Sequence, residues 1–355
     1  MPIPPLYGHE GIRNRLDGAI ASGRLPQSLL LEGPAGVGKQ RLALWLAETL
    51  LCEAREGGSG KGEPCGRCQH CKLVRNLAHP DVHWFVPVEL SKKGADADKQ
   101  VELVAEALAE ELAARREQPL CEPPSGLASH GIASVRLLLR QLVLTPALAR
   151  RKVFILGDAE RLVPQTGADA AANALLKALE EPPADTVFVL TATEPEALLP
   201  TMLSRVVRVR VARLADSIVA LFAHRELGLK DQRDVAQRVA AAEGCIGRLL
   251  ATKDRAAGGA AAAERFRAAV QGDPVRRYAF ALAQQPFQAR GGFTDMLDSL
   301  LEQLRGEARA GRDTEKVVEA IAQVFEARSL AQGNVNPQLV GVVLGEDLAG
   351  GREAL

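Results

Sequence analysis

The segment Gly33-Pro34-Ala35-Gly36-Val37-Gly38-Lys39-Gln40 constrains this chain more than any other stretch. It follows Ser28-Leu29-Leu30-Leu31-Glu32, a short apolar run that reads as a buried strand. It opens residues 41–51, whose apolar positions recur at helical spacing. Strand, glycine-rich turn and helix together are the setting of a phosphate-binding loop. The glycines Gly33, Gly36 and Gly38 let backbone N–H groups converge on phosphate oxygens, and the helix N-terminus adds positive potential. Lys39 supplies a point charge for the outer phosphates.

Two positions depart from a working magnesium site. A short hydroxyl at position 40 would complete the metal shell, and Gln40 offers a longer amide instead. The strand at 153–156 leads to Asp158, which could hold magnesium through a water, but Ala159 follows where a carboxylate would orient the attacking water. Glu160 is one place further and, on an extended backbone, points elsewhere. These losses predict weak or absent hydrolysis. They leave two readings open: a turn kept for structure alone, or ATP with magnesium bound without turnover.

Further strands are expected at 84–88, 153–158 and 187–191, with a helix at 170–180 between the last two. Alternating strands and helices imply βαβ units and a mainly parallel sheet over roughly the first 210 residues. After Arg213 the texture becomes helical, with candidates at 216–226, 231–242, 260–271, 274–284, 293–310 and 314–331. The alanine-rich stretch 256–263 is either a linker or the start of a helix. Residues 92–98 and 119–131 read as loops around an inserted amphipathic helix at 100–117, which sets Val101, Leu103, Val104, Leu108 and Leu112 among glutamates. It is a solvated decoration or a partner-docking helix.

Cys65, Cys68 and Cys71 stand at two-residue gaps, and Cys52 lies thirteen residues before Cys65. Four thiolates at such spacing fit a closed, tetrahedral, structural zinc site. His70 could replace one thiol; Cys121 and Cys245 have no partner at useful spacing. The chain carries 44 basic and 44 acidic side chains, so whole-surface nucleic-acid binding is not expected. With 4% aromatic residues it has little to stack single-stranded bases on. A local patch of Arg136, Arg140, Arg150, Arg151 and Lys152 could touch a phosphate backbone, or be an ordinary solvated face. Met1 to Gly8 lacks a basic and apolar leader, and no stretch of about 18 apolar residues occurs. A soluble cytoplasmic chain with no membrane partner is the expectation, and its cysteines are not expected to form a disulfide framework.

Taken together, these segments resemble the bacterial clamp-loader AAA+ family along nearly the whole chain. The resemblance is carried by Gly23-Arg24-Leu25-Pro26, by the cysteine module after the P-loop helix and by His79-Pro80-Asp81. Its most specific piece is Ala171-Ala172-Asn173-Ala174-Leu175-Leu176-Lys177-Ala178-Leu179-Glu180-Glu181-Pro182-Pro183. Thr191 and Thr193 fall at the family's sensor-1 position, and Asn334-Val335-Asn336-Pro337 matches a pattern in its collar helices. Leu203-Ser204-Arg205-Val206 resembles the family's Ser-Arg-Cys motif, whose arginine reaches the ATP site of a neighbouring subunit. Without the resemblance, Arg205 is a surface arginine before a basic strand. The sensor-2 arginine is expected at Gly247, and Arg248 comes one residue late.

The resemblance implies an α/β P-loop (AAA+) domain over 1–212, carrying the zinc module near 52–71 and the insertion near 92–130. A helical lid over 213–254 and an all-α collar over 255–355 would follow. It implies a non-hydrolysing subunit of a DNA polymerase III clamp loader. Such a subunit would work with gamma/tau and delta subunits, indirectly with the sliding clamp, and with primer-template DNA. The nucleotide-site residues would be Gly33, Gly36, Gly38, Lys39, Gln40, Asp158 and Thr191, with Arg205 serving a neighbour. Rival readings are the ATP-hydrolysing gamma/tau subunit, a stand-alone P-loop kinase or motor ATPase, and a zinc-dependent DNA-binding regulator. Gln40, Ala159 and Gly247 weigh against the first, and the second would require an intact magnesium site and a substrate pocket.

Overall fold

Five short strands pair side by side: β1 (Ser28–Glu32), β2 (Val82–Phe85), β3 (Lys152–Leu156), β4 (Thr186–Ala192) and β5 (Val207–Arg210). Their order is β2-β3-β4-β1-β5 and every pairing is parallel, with Leu30 opposite both Leu190 and Arg208. β3 and β4 are buried along their whole length, which is why they read as unbroken apolar runs. Leu29, Leu30 and Leu31 are fully buried between helices, each contributing about 2 kcal/mol of apolar transfer. β5 is the sheet edge; its Val-Arg-Val-Arg sequence is mostly exposed and escapes a search for apolar runs. β2 starts earlier than the apolar run 84–88 suggests, and Val88 makes only an isolated antiparallel bridge to Ser129.

The computed structural model describes residues 3–55, 62–89, 96–120, 128–162, 169–250, 253–286, 291–311, 314–332 and 335–350. Cys121, Asn334 and most of the loops expected at 92–98 and 119–131 lie outside the described residues. Among the described residues no helix is long and apolar enough to cross a membrane.

The helices around the sheet are α1 (Glu10–Ala21), α2 (Lys39–Leu51), α3 (Gln69–Arg75), α4 (Ala97–Glu117), α5 (Ile132–Leu142), α6 (Ala170–Glu180) and α7 (Pro200–Leu203). α2 is buried nearly all round, from Lys39 to Leu51. α4, the inserted helix, packs along α5 and buries Val101, Val104, Leu108 and Arg115. The turn between α5 and β3 is pinned by Asp81, whose carboxylate accepts the N–H groups of Ala147, Leu148 and Ala149 at 2.5, 2.8 and 2.7 Å. Burial pushes that carboxyl up, but the three N–H groups outweigh it and hold it below its ordinary value. Lys152 is buried and donates to the carbonyls of Leu142 and Leu144 at the end of α5, so it takes no part in a basic surface. Arg140 is paired with Asp98 of α4.

α8 (Asp216–Glu226), α9 (Gln232–Ala242) and α10 (Ile246–Leu250) form a small helical piece with a core of Leu214, Val219, Ala223, Val235, Val239 and Ala242. Asp231 caps α9, accepting from the N–H groups of Arg233 and Asp234. This piece belongs to the same compact unit as the sheet, which ends at Leu250.

A second compact unit runs from Ala251. It contains α11 (Lys253–Val270), α12 (Pro274–Leu282), α13 (Gly292–Arg309), α14 (Thr314–Gln332) and α15 (Pro337–Leu348). The alanine-rich stretch is thus the start of a helix. Gly259 lets α11 approach α13, because a β-carbon there would meet the Asp295 carbonyl oxygen at 2.9 Å. Phe266, Phe293, Leu297, Leu300, Val324 and Leu344 are among the residues that fill its core.

Candidate functional site

The C-terminal ends of β1, β3 and β4 bring the loop 33–38, Asp158 and Thr193 together, as the crevice rule for open parallel sheets requires. Gly36 and Gly38 take φ values of 74° and 103°, a region that side-chain-bearing residues rarely adopt. Lys39 is buried, and its Nζ donates to the carbonyls of Gly33 and Pro34 at 2.8 and 2.9 Å and to Thr193 Oγ1 at 3.0 Å. Burial lowers its pKa, against the raising charges of Glu160 and Asp158. A cavity of about 260 Å³ opens over this loop. Pro4, Pro5, Leu6 and Tyr7 line one side, Ile246 and Leu250 another, and Lys39, Arg41 and Arg115 bring cations to it.

Thr191 is fully buried and does not reach Lys39; its Oγ1 accepts the N–H of Asp158 at 3.0 Å. Thr193, two residues on, is the threonine at the loop. Asp158 lines the cavity with a left-handed φ of 51°. That turn ends the strand, and a single 3-10 turn over Ala159–Leu162 follows. Glu160 therefore does not point away as an extended backbone would require. Its Oε1 accepts the Thr193 N–H at 3.0 Å, while Oε2 is buried without a partner among the described residues. Burial, then the charge of Asp158, pushes Glu160 up to about 7.

Of the residues expected around magnesium, Asp158 alone brings a carboxylate to the cavity, and position 40 brings an amide instead of a hydroxyl. Gln40 turns its carboxamide over Gly157, where a β-carbon would lie 2.9 Å from Nε2 and 3.1 Å from Cδ. The long amide fills the space beside a residue with no side chain, so neither position offers a carboxylate or hydroxyl to a hard cation. Gln40 Oε1 instead accepts from Arg115 Nη1 at 3.4 Å. Arg115 is buried, ion-paired with Glu111 at 2.9 Å, and stacked over the Trp84 ring at 4.7 Å from its centroid. Arg115 belongs to no motif in the sequence. The signal was present: the stripe Val101, Val104, Leu108 continues at helical spacing to Arg115, so the helix buries a guanidinium there.

Gly247, where a sensor-2 arginine was expected, touches the loop with backbone alone. Its N–H donates to the Gly36 carbonyl at 2.8 Å. Arg248 is ion-paired with Glu243 at 2.9 Å.

Arg205 follows α7 and precedes the edge strand β5, half-buried at the surface. Its Nε and Nη2 each lie 3.0 Å from Glu180 Oε2, and Nη1 donates to the Thr201 carbonyl at 2.8 Å. The guanidinium is thus held in a fixed direction beside an exposed carboxylate.

The cysteines Cys52, Cys65, Cys68 and Cys71 place their sulfurs within 4.8 Å of one another. Cys65 and Cys71 Sγ lie 3.9 Å apart, close to the roughly 3.8 Å that tetrahedral Zn–S bonds of about 2.3 Å impose. Cys52 ends α2 and Cys68 caps α3, so two helices fix the cluster. Gly66, with a φ of 68°, gives the tight turn between the first two knuckle cysteines. The N–H groups of Cys65, Cys68 and Cys71 donate to the sulfurs of Cys52, Cys65 and Cys68 at 3.3, 3.4 and 3.5 Å. Backbone N–H groups of Arg67 and Cys68 bring the Cys65 thiol down to about 6, whereas burial pushes Cys52 and Cys71 up. The donor set fits a metal ion such as zinc. His70 is outside it: its Nδ1 meets His79 Nε2 at 2.7 Å. His79 Nδ1 accepts the Asp81 N–H at 3.0 Å, so the proton of this histidine pair sits on His79 Nε2.

A glycine-rich loop between a central parallel strand and a buried helix, with a small helical piece bonded to it, defines an α/β protein of the P-loop class. The chain belongs to the family described as DNA polymerase III, delta subunit, whose sequence model matches residues 8–215. DNA polymerase III subunit delta' of Bacillus subtilis (strain 168) is 34% identical over 187 residues, which are 53% of this chain and 42% of that protein. The protein of that name from Pseudomonas aeruginosa is 35% identical over 179 residues, 50% of this chain and 41% of that protein. DNA polymerase III subunit gamma/tau of Mycobacterium bovis is 30% identical over 201 residues, 56% of this chain and 27% of that one. The matched region thus spans less than half the length of each of these relatives.

Proposed function

We propose that this chain is a delta-prime-type AAA+ subunit of a bacterial DNA polymerase III clamp loader, and that it serves a neighbour's ATP site without hydrolysing ATP itself. The observation that carries this reading is the contrast between its own degenerate P-loop and the arginine held at its sheet edge. Its own P-loop carries Gln40 where a metal-binding hydroxyl is needed and Ala159 where a carboxylate would orient the water. Arg205, on the turn before the edge strand, holds its guanidinium at the surface. A guanidinium delivered from a second subunit stabilises charge on a transferring phosphoryl group. Glu180 would keep Arg205 directed until a triphosphate competes for it.

In this reading the partners are gamma/tau and delta subunits, with the sliding clamp and primer-template DNA engaged through the assembly. The four cysteines hold a structural zinc ion that fastens α3 to the end of α2. The gamma/tau relative makes an ATP-hydrolysing subunit the rival, and turnover by the isolated chain separates the two. Reconstitution with gamma/tau and delta subunits tests the role. Arg205→Ala is expected to leave assembly intact and to slow hydrolysis at the site it serves by about 10³-fold or more. Unchanged hydrolysis in an assembled complex would remove Arg205 from that role.

A further inference from the structure

The inserted helix α4 has no part in the function proposed above, yet it delivers a buried cation to the P-loop cavity. In a working P-loop, residue 40 would be a metal ligand, and the metal would neutralise the β and γ phosphates. Here the atom at that place, Gln40 Oε1, already accepts from Arg115 Nη1 at 3.4 Å. Three contacts fix the guanidinium: the Glu111 carboxylate, the Trp84 ring and Gln40 itself. Trp84 is also buried in the cavity lining, and its indole N–H, a donor only, has no partner among the described residues. Lys39 and Arg41 add two further cations, and Asp158 is the carboxylate among the lining residues that could oppose a polyphosphate.

We propose that this cavity binds the polyphosphate of a nucleoside di- or triphosphate without magnesium, with Arg115 of the inserted helix supplying the charge that the metal supplies elsewhere. The proposal rests on the reading of the loop 33–38 as a nucleotide site and is independent of any role in a clamp loader. A guanidinium suits the task because it stays charged when buried and donates through a planar fork to phosphate oxygens. The apolar walls formed by Pro4, Leu6, Ile246 and Leu250 suit the base end of the same ligand. Without a hard cation or a positioned base, the bound phosphates would not be hydrolysed. The ligand would hold the helical piece α8–α10 against the loop.

The experiment is equilibrium binding of fluorescent ADP and ATP to the full chain, in excess EDTA and in excess magnesium. The expected result is one affinity, the same within about twofold in both buffers. Arg115→Gln is expected to weaken binding about tenfold or more in EDTA, a loss that magnesium does not repair. Thermal melts establish that the variant folds. Where it does not, Arg115→Lys, which keeps the charge but loses the fork, is expected to bind at intermediate strength. Binding that requires magnesium would overturn the role of Arg115 while leaving a nucleotide site. Absence of binding in both buffers would remove the nucleotide site itself. A folded Arg115→Gln that binds like the parent would also overturn the proposal. None of these outcomes depends on clamp loading, so failure here and failure of the assembly role are read separately.

Discussion

Gly247 and Gly36 meet backbone to backbone: the Gly247 N–H donates to the Gly36 carbonyl at 2.8 Å, and a β-carbon on Gly247 would lie 2.5 Å from the Gly36 Cα. The reverse addition, on Gly36, would meet the Gly247 Cα at 2.9 Å. No flexible side chain can give way here, so any side chain at 247 must lever the helical piece off the loop. Gly247→Ala is expected to destabilise the chain by about 1–3 kcal/mol in denaturant unfolding. Amide exchange should rise across α10 more than across the sheet. A variant with parental stability and exchange would show that the two segments are not bonded in solution.

Gln40 and Gly157 are expected to be coupled. Gly157→Asp alone forces a carboxylate into space that the Gln40 amide fills, and should cost about 1–3 kcal/mol. Gln40→Thr alone leaves a void at the start of α2. The double variant relieves the clash, so its loss should be smaller than the sum of the two by about 1 kcal/mol. Neither single change should produce ATP turnover by the isolated chain, because Ala159 still leaves no carboxylate to orient the attacking water. Additive losses in a double-mutant cycle would show that the amide does not occupy that space.

Much of this architecture is legible in the sequence, and the parts that are not share a cause. The P-loop, the buried strands near 28–32 and 187–191 and the helices Ala170–Glu180 and Asp216–Glu226 are local patterns of burial and spacing. The edge strand Val-Arg-Val-Arg alternates instead of running apolar, and only Val209 packs against the core, so it lacks the burial signal of the central strands. The direction of Glu160 is set by the left-handed turn at Asp158, and nothing in the residue letters announces that turn. Thr191 and Thr193 are equivalent by alternation; only the pairing of strand ends decides which one meets Lys39. Arg115 and Gln40 are 75 positions apart, and their contact exists only once α4 is laid along α5.

The cysteine cluster ties the end of α2 to α3, whose other contacts reach the N-terminal segment. The helix α3 that carries Cys71 also accepts the Ile3 N–H at Arg75 O, 3.0 Å, and Arg75 pairs with Glu48 of α2 at 2.9 Å. Residues Pro4 to Tyr7, which follow Ile3, line the cavity over the P-loop. Cys71→Ser is expected to abolish stoichiometric metal, about one ion per chain in the parent by elemental analysis. The N-terminal segment should then become accessible to protease. Metal content near one per chain in the variant would place the ion elsewhere.

Glu160 makes stability depend on pH in a direction opposite to the usual carboxylate. Its folded pKa is raised from 4.5 to about 7 by burial and by the charge of Asp158. Between those two values the folded chain holds a proton that the unfolded chain releases. The contribution of this group is therefore complete below about pH 4.5 and is lost as the pH rises through about 7. Glu160→Gln keeps an oxygen to accept the Thr193 N–H at the position that now receives it at 3.0 Å, and it cannot ionise. Near pH 8 the variant should be more stable than the parent by about 2 kcal/mol or more. That advantage should shrink as the pH falls below 7 and be least near 4.5, followed as the difference in Tm across a pH series. A difference in Tm that does not change with pH would mean that Glu160 is ionised and solvated in the folded chain.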